Sequence, residues 1–113
     1  DRLIESLANE GEMLMQLGKY RDAVQYYSRA LKYLSKLSPE FSERHLKLSI
    51  KLSEALLHTR STRQKGVHLL NTLLQKAVRM KSGKYVKEIE TLLDEKTTGK
   101  FDILALWHKA FPK

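Results

Sequence analysis

The stretch GEMLMQLGKYRDAVQYYSRAL, residues 11–31, holds two helical patterns divided by a turn. Upstream of the turn, apolar residues fall at Leu3, Leu7, Ala8, Met13/Leu14 and Leu17, the three-to-four spacing that lines one helix face. The pattern stops at Gly18. It restarts with Tyr20, Ala23, Val24, Tyr27, Ala30, Leu31 and Leu34 and ends at Ser38-Pro39, where the residue before proline is biased away from helix. A turn as short as Gly18-Lys19 brings the two helices back antiparallel, so the stretch specifies a helical hairpin.

Working outward, a third segment from about Glu40 to Arg60 alternates Leu46, Leu48, Ile50 and Leu52 with Lys47, Ser49, Lys51 and Ser53, a strand-like period. We read it as helix. Its apolar residues then cover a wide arc, which makes it central, while Arg44, Lys47, Lys51, Glu54 and His58 share one stripe. Ser61-Thr62 offers an N-cap for a fourth helix carrying Val67, Leu69, Leu70, Leu73, Leu74, Ala77 and Met80, closed by Ser82-Gly83. A fifth is expected over about Lys84 to Glu95. A sixth, about Phe101 to Phe111, follows Thr97-Thr98-Gly99.

The expectation is thus an all-α chain of about six helices, stacked as antiparallel hairpins in a single domain over residues 1–113. The 113 residues contain no cysteine, which excludes disulfides, thiolate metal sites and a cysteine nucleophile. No apolar run reaches the ~18–20 residues of a membrane span and no leader pattern is present. The composition reads as soluble and intracellular, cytoplasmic or nuclear. Because the chain starts at Asp1 and ends in a short basic tail, it is read as a domain cut from a longer polypeptide.

Helical hairpins invite a search for repeats. Shifting the chain by 43 residues lays Leu46 on Leu3, Ile50 on Leu7, Leu57 on Leu14, Gly66 on Ala23, Val67 on Val24, Leu70 on Tyr27 and Leu74 on Leu31. A Gly-Lys-aromatic triplet recurs at Gly18, Gly83 and Gly99. The positions Gly11, Leu14, Gly18, Tyr20, Ala23, Tyr27 and Ala30-Leu31 resemble a tetratricopeptide repeat in residue type and spacing, over about residues 3–34. The later units diverge: Ser61 stands at the second turn instead of glycine, and Pro39 lies several residues beyond the family's closing proline. The spacing of Tyr, Ala and Ala-Leu is also similar to the second helix of microtubule-interacting-and-trafficking domains, three-helix bundles that six helices fit less well.

The tetratricopeptide resemblance implies a non-catalytic scaffold in which the first helices of successive hairpins line a groove for a peptide or helix. One subclass clamps acidic chaperone tails with Lys and Asn at set positions. Here those positions hold Ala8, Glu12 and Leu52, which disfavours that ligand.

Charge is the most informative chemical feature. The chain carries 21 Lys/Arg against 13 Asp/Glu, net +8. All of the excess is central: residues 44–87 hold eleven Lys/Arg and one acid, Glu54, whereas residues 1–43 and 88–113 each sum to −1. Arg44, Lys47, Lys51 and His58 form one stripe, and Lys65, His68, Lys76 and Arg79 another on the next helix. Joined as one patch, Arg44, Lys47, Lys51, His58, Lys65, Lys76 and Arg79 would attract an acidic protein segment, with nucleic acid or an anionic membrane surface as the alternative. The lack of Phe, Tyr and Trp between residues 44 and 84 favours the protein partner, since unpaired bases are held largely by stacking. A solvated basic face is the competing explanation.

Chemistry of other kinds finds no support. His45, His58, His68 and His108 have no metal-site spacing, no glycine-rich loop follows a strand, and the carboxylates Glu88, Glu90, Asp94 and Glu95 read as an exposed helix face. No enzyme activity, metal or cofactor is expected. Tyr20 and Tyr27 read as hairpin packing, whereas Tyr26 and Tyr33, seven apart, share a face toward helix three or a partner. Trp107 with Phe101, Leu104 and Phe111 reads as a cap on the open end of the stack, or as a self-association surface if exposed.

Overall fold

A computed structural model describes residues 2–97, with side chains as far as residue 94. Among these residues the fold is all helical: α1 (Arg2–Gln16), α2 (Tyr20–Leu37), α3 (Glu43–Leu57), a 3-10 turn (Arg60–Thr62), α4 (Arg63–Arg79) and α5 (Gly83–Thr97). Each helix packs on the next in chain order, α1 on α2, α2 on α3, α3 on α4 and α4 on α5, as in a stack of hairpins. The expected sixth helix, with Phe101 and Trp107, lies outside the described residues. None of the described helices is long and apolar enough to cross a membrane.

The first hairpin forms as its sequence dictates. Gly18 adopts φ +79°, and the amides of Lys19 and Gly18 donate to Leu14 O and Met15 O at 2.9 and 3.0 Å, closing α1. Ala23 and Ala30 are fully buried, as small residues must be where two helix backbones approach closely. Tyr27 fills the space beside them. Its ring lies against Gly11, where an added Cβ would stand 2.8 Å from Tyr27 Cε1, so Gly11 is a notch cut for the tyrosine.

α3 resolves the ambiguity of the alternating stretch. It is helical, and it is buried on two sides at once. Leu48 and Ala55 join Ile4, Ala23, Tyr27, Ala30 and Leu34 in the first core. Leu46, Ile50 and Leu57 join Leu70, Leu73, Ala77, Tyr85 and Ile89 in the second. The helix starts at Glu43 rather than Glu40 because Ser42 caps it: Ser42 and His45 form a reciprocal capping box, with the Ser42 amide donating to His45 Nδ1 at 3.0 Å. That bond requires a lone pair on Nδ1, so the neutral ring carries its proton on Nε2, a buried atom with no hydrogen-bond partner among the described residues.

Two expected helix boundaries differ in mechanism. Ser61-Thr62 does not cap α4 through a side chain. Instead Thr62 Oγ1 donates back to Leu56 O at 2.7 Å, and Arg63 Nε donates to Leu57 O at 3.0 Å. Arg63 thereby reaches a terminal carbonyl of α3, and Thr62 adds a shorter bond to a Leu56 carbonyl that also accepts the Thr59 amide at 3.4 Å. At the far end of α4 the left-handed position is Lys81 (φ 57°), not Gly83, with the Ser82 amide donating to Ala77 O at 3.0 Å.

α5 starts at Gly83 and is tied to the beginning of α3 by Tyr85, whose hydroxyl donates to Glu43 Oε2 at 3.1 Å. Burial first, and then this bond, pushes the Tyr85 phenol up.

Two substitutions test this account in opposite directions. Gly11→Ala gains about 1 kcal/mol of helix propensity but overpacks the Tyr27 ring, so urea unfolding is expected to show a net loss of about 1–2 kcal/mol. Adding Tyr27→Leu should make the double variant more stable than the sum of the single losses predicts. Lys81→Gly relieves the left-handed strain and is expected to stabilise by about 0.5–1 kcal/mol. A rise in urea midpoint for Gly11→Ala would contradict the notch.

Candidate functional groove between α1 and α3

Burying α3 on two sides leaves one face open, the stripe of Arg44, Lys47, Lys51, Glu54 and His58 expected from the sequence. Arg44, Lys47 and Lys51 form one wall of a groove of about 490 Å³ whose other wall is α1, through Glu5, Asn9 and Glu12. Ile4, Ala8 and Leu48 make its apolar floor. Ile4 and Leu48 belong to the first core, so the floor is the edge of that core rather than a separate cluster.

The walls carry opposite charge. Lys51 Nζ and Glu12 Oε1 pair across the groove at 3.2 Å, with side chains 31% and 53% exposed. At that exposure the pair contributes at most about 1 kcal/mol. Arg44 and Lys47 have no carboxylate partner among the described residues, so α3 presents two uncompensated cations beside the floor. Glu12 also acts inward. It and Glu54 add to burial, the larger cause, in pushing the Tyr27 phenol up to about 12.

The other cations expected in one patch are placed elsewhere. His58, at the C-cap of α3, stacks on Tyr20 with ring centroids 4.3 Å apart and 9° between planes. On α4, Gly66, Leu70, Leu73 and Ala77 face the core, which turns Lys65 and Arg79 to the exposed side. Lys76 lies with its Nζ 4.6 Å from the centre of the Phe41 ring. Among the described residues no α4 side chain lines the α1–α3 groove, and α5, as the first helix of a third hairpin expected to extend it, contributes none either.

Sequence reasoning found the basic wall but not the acidic one, because Glu5 and Glu12 disappear into a sum of −1 for residues 1–43. The signal was present as their seven-residue spacing, which puts both on one α1 face. Tyr33 points not toward α3 but into a separate depression shared with α1. Among the described residues no group of three or more His, Asp or Glu side chains is placed to hold a metal ion.

Compared with protein-family models, curated proteins and solved structures, the chain matches none.

The Tyr27 environment yields a titration. Its folded-state pKa lies above the ordinary 10.0, so its contribution to stability is complete below pH 10 and is lost as pH rises through about 12. Of the five tyrosines, Tyr27 should ionise late in an absorbance titration, and Tyr27→Phe should remove that late step. A Tyr27→Phe profile superimposable on the parent would refute the burial assigned to this ring.

Proposed function

We propose that this chain is a non-catalytic interaction module, an adaptor or scaffold of tetratricopeptide-like type, whose α1–α3 groove takes a short acidic or amphipathic segment of a partner protein. The observation that carries this reading is the groove's construction: an apolar floor of Ile4, Ala8 and Leu48 beside the unpaired cations Arg44 and Lys47. Floor and wall divide the work. Burying ligand side chains on the floor supplies affinity, and the α3 wall draws carboxylates and fixes the direction of approach. A tetratricopeptide arrangement places the ligand on successive first helices, which here are α1 and α3.

The α1 wall bears on the alternative. A phosphate backbone or an anionic membrane laid in this groove meets Glu5 and Glu12 as well as the cations, whereas a peptide can set acidic side chains toward α3 and polar or basic ones toward α1. Chaperone-tail binding is disfavoured on the same surface, since Ala8 and Glu12 occupy the groove where that subclass needs Lys and Asn.

The test is selection of binders from a displayed random-peptide library, followed by affinity measurement on the 113-residue chain. Selected peptides should pair apolar residues with Asp or Glu, and Arg44→Glu with Lys47→Glu should weaken them by at least about ten-fold at low salt. A single-stranded RNA oligonucleotide serves as the comparison. RNA binding that is tighter than that of any selected peptide and falls steeply with salt would replace this reading with phosphate recognition.

A further inference from the structure

The chain has a second depression, on the side of α1 away from α3. It lies between α1 and α2 and has a volume of about 380 Å³. Leu3, Leu7 and Tyr33 supply its apolar surface; Leu3 is 44% and Tyr33 37% exposed. Leu37, four residues beyond Tyr33 on the same face of α2, is 56% exposed and extends the strip. Large apolar side chains grouped in this way differ from the scattered ones found on any surface.

Among the described residues the rim is basic. Arg29, Lys32 and Lys36 line the depression and no described carboxylate does; Glu10, the next residue of this α1 stripe, is not part of it. The charge sum of −1 for residues 1–43 conceals this, because it offsets these cations with acids such as Glu5, Glu12 and Glu43 that do not line the depression. Leu7 on α1 and Arg29, Lys32 and Tyr33 on α2 lie in interior turns whose backbone groups are bonded within the helix, so an extended strand would find no continuous row of backbone partners along the depression. A ligand that brings its own backbone bonds satisfied fits better. The rows Leu3/Leu7 and Tyr33/Leu37 have the four-residue spacing into which the side-chain ridge of a third helix packs.

We propose that this α1–α2 face docks an amphipathic helix of a partner protein, with Leu-like residues seated on Leu3, Leu7 and Tyr33 and Asp or Glu flanks paired to Arg29, Lys32 and Lys36. It is a site separate from the α1–α3 groove and does not depend on it.

The probe is a fluorescent synthetic helix of about 18 residues, long enough to form helix alone, with Leu on one face and Glu on its flanks. A second peptide replaces every Glu by Lys. On the 113-residue chain the Glu peptide should bind and shift the amide resonances of Leu3, Leu7, Lys32 and Tyr33, while the Lys peptide binds at least about ten-fold more weakly. Arg29→Glu with Lys36→Glu, and separately Tyr33→Ala, should each raise by at least about ten-fold the Glu-peptide concentration that half-saturates the shifts of Leu3, Leu7 and Lys32, with circular dichroism confirming an intact fold. Arg44→Glu with Lys47→Glu should leave the half-saturation of those same shifts within about two-fold, whatever it does to occupancy of the α1–α3 groove.

Equal binding of both peptides would overturn the proposal. So would resonance shifts confined to Arg44–Lys51, which would leave the α1–α3 reading standing. Two further outcomes would also overturn it: sensitivity of the same variants toward phosphatidylserine vesicles without peptide binding, or concentration-dependent dimerisation that buries Tyr33.

Discussion

The two-sided burial of α3 governs the rest of the molecule. Leu48 and Ala55 look into the core of the first hairpin, and Leu46, Ile50 and Leu57 into the core shared with α4 and α5. A helix committed in two directions has one face left, and on α3 that face carries Arg44, Lys47 and Lys51. The location of the basic wall is therefore a consequence of core packing. It also fixes the groove's floor, because Leu48 is at once a core residue and the surface that α1 and α3 leave open between them.

The two hairpins achieve close approach by different means. In the first, a large ring is accommodated by a missing side chain, Tyr27 against Gly11. In the second, the glycine is on the other helix: a Cβ at Gly66 would stand 3.0 Å from the Ser53 carbonyl oxygen, and Ser53 is fully buried with its hydroxyl donating to Ser49 O at 2.8 Å. The 43-residue shift reflects this compensation. Where Tyr27 is replaced by the shorter Leu70, the position matching Gly11 is Glu54, and no notch is needed. Burial thus repeats along α2 and α4, where Ala23, Tyr27, Ala30 and Leu34 match the buried Gly66, Leu70, Leu73 and Ala77, but not along α1 and α3, where the exposed Leu3 matches the buried Leu46.

Much of the fold was legible because helix periodicity and turn chemistry are local. Gly18, Ala23, Tyr27 and Ala30 behave as their spacing implies, and the alternation at Leu46–Leu52 looks strand-like only because α3 must be apolar toward two neighbours. What sequence could not give is the direction of side chains relative to a third element. Charge summed over residues 44–87 merged the α3 cations with Lys65, Lys76 and Arg79, which α4 presents to another surface. The same arithmetic cancelled Arg29, Lys32 and Lys36 against acids such as Glu5, Glu12 and Glu43 that do not line that depression. Thr62 misled for a related reason: its hydroxyl can accept from the amides starting α4 or donate to the carbonyls behind it, and here it donates, to Leu56 O and Thr59 O.

The Lys51–Glu12 pair shapes what the proposed groove can accept. It spans the two walls, so a ligand lying along the full length of the floor must displace it, while one confined to the open cations Arg44 and Lys47 need not. Displacement is energetically easy, since a pair this exposed is worth at most about 1 kcal/mol. It is not free of consequence, because a ligand carboxylate that takes Lys51 leaves Glu12 beside a phenol whose ionisation it already opposes and without its cation. A ligand answers that only by offering Glu12 a donor of its own. On the proposed reading, the ligand that fits this groove carries an ordered charge pattern, acidic toward α3 and donating toward α1, which simple polyanions do not have.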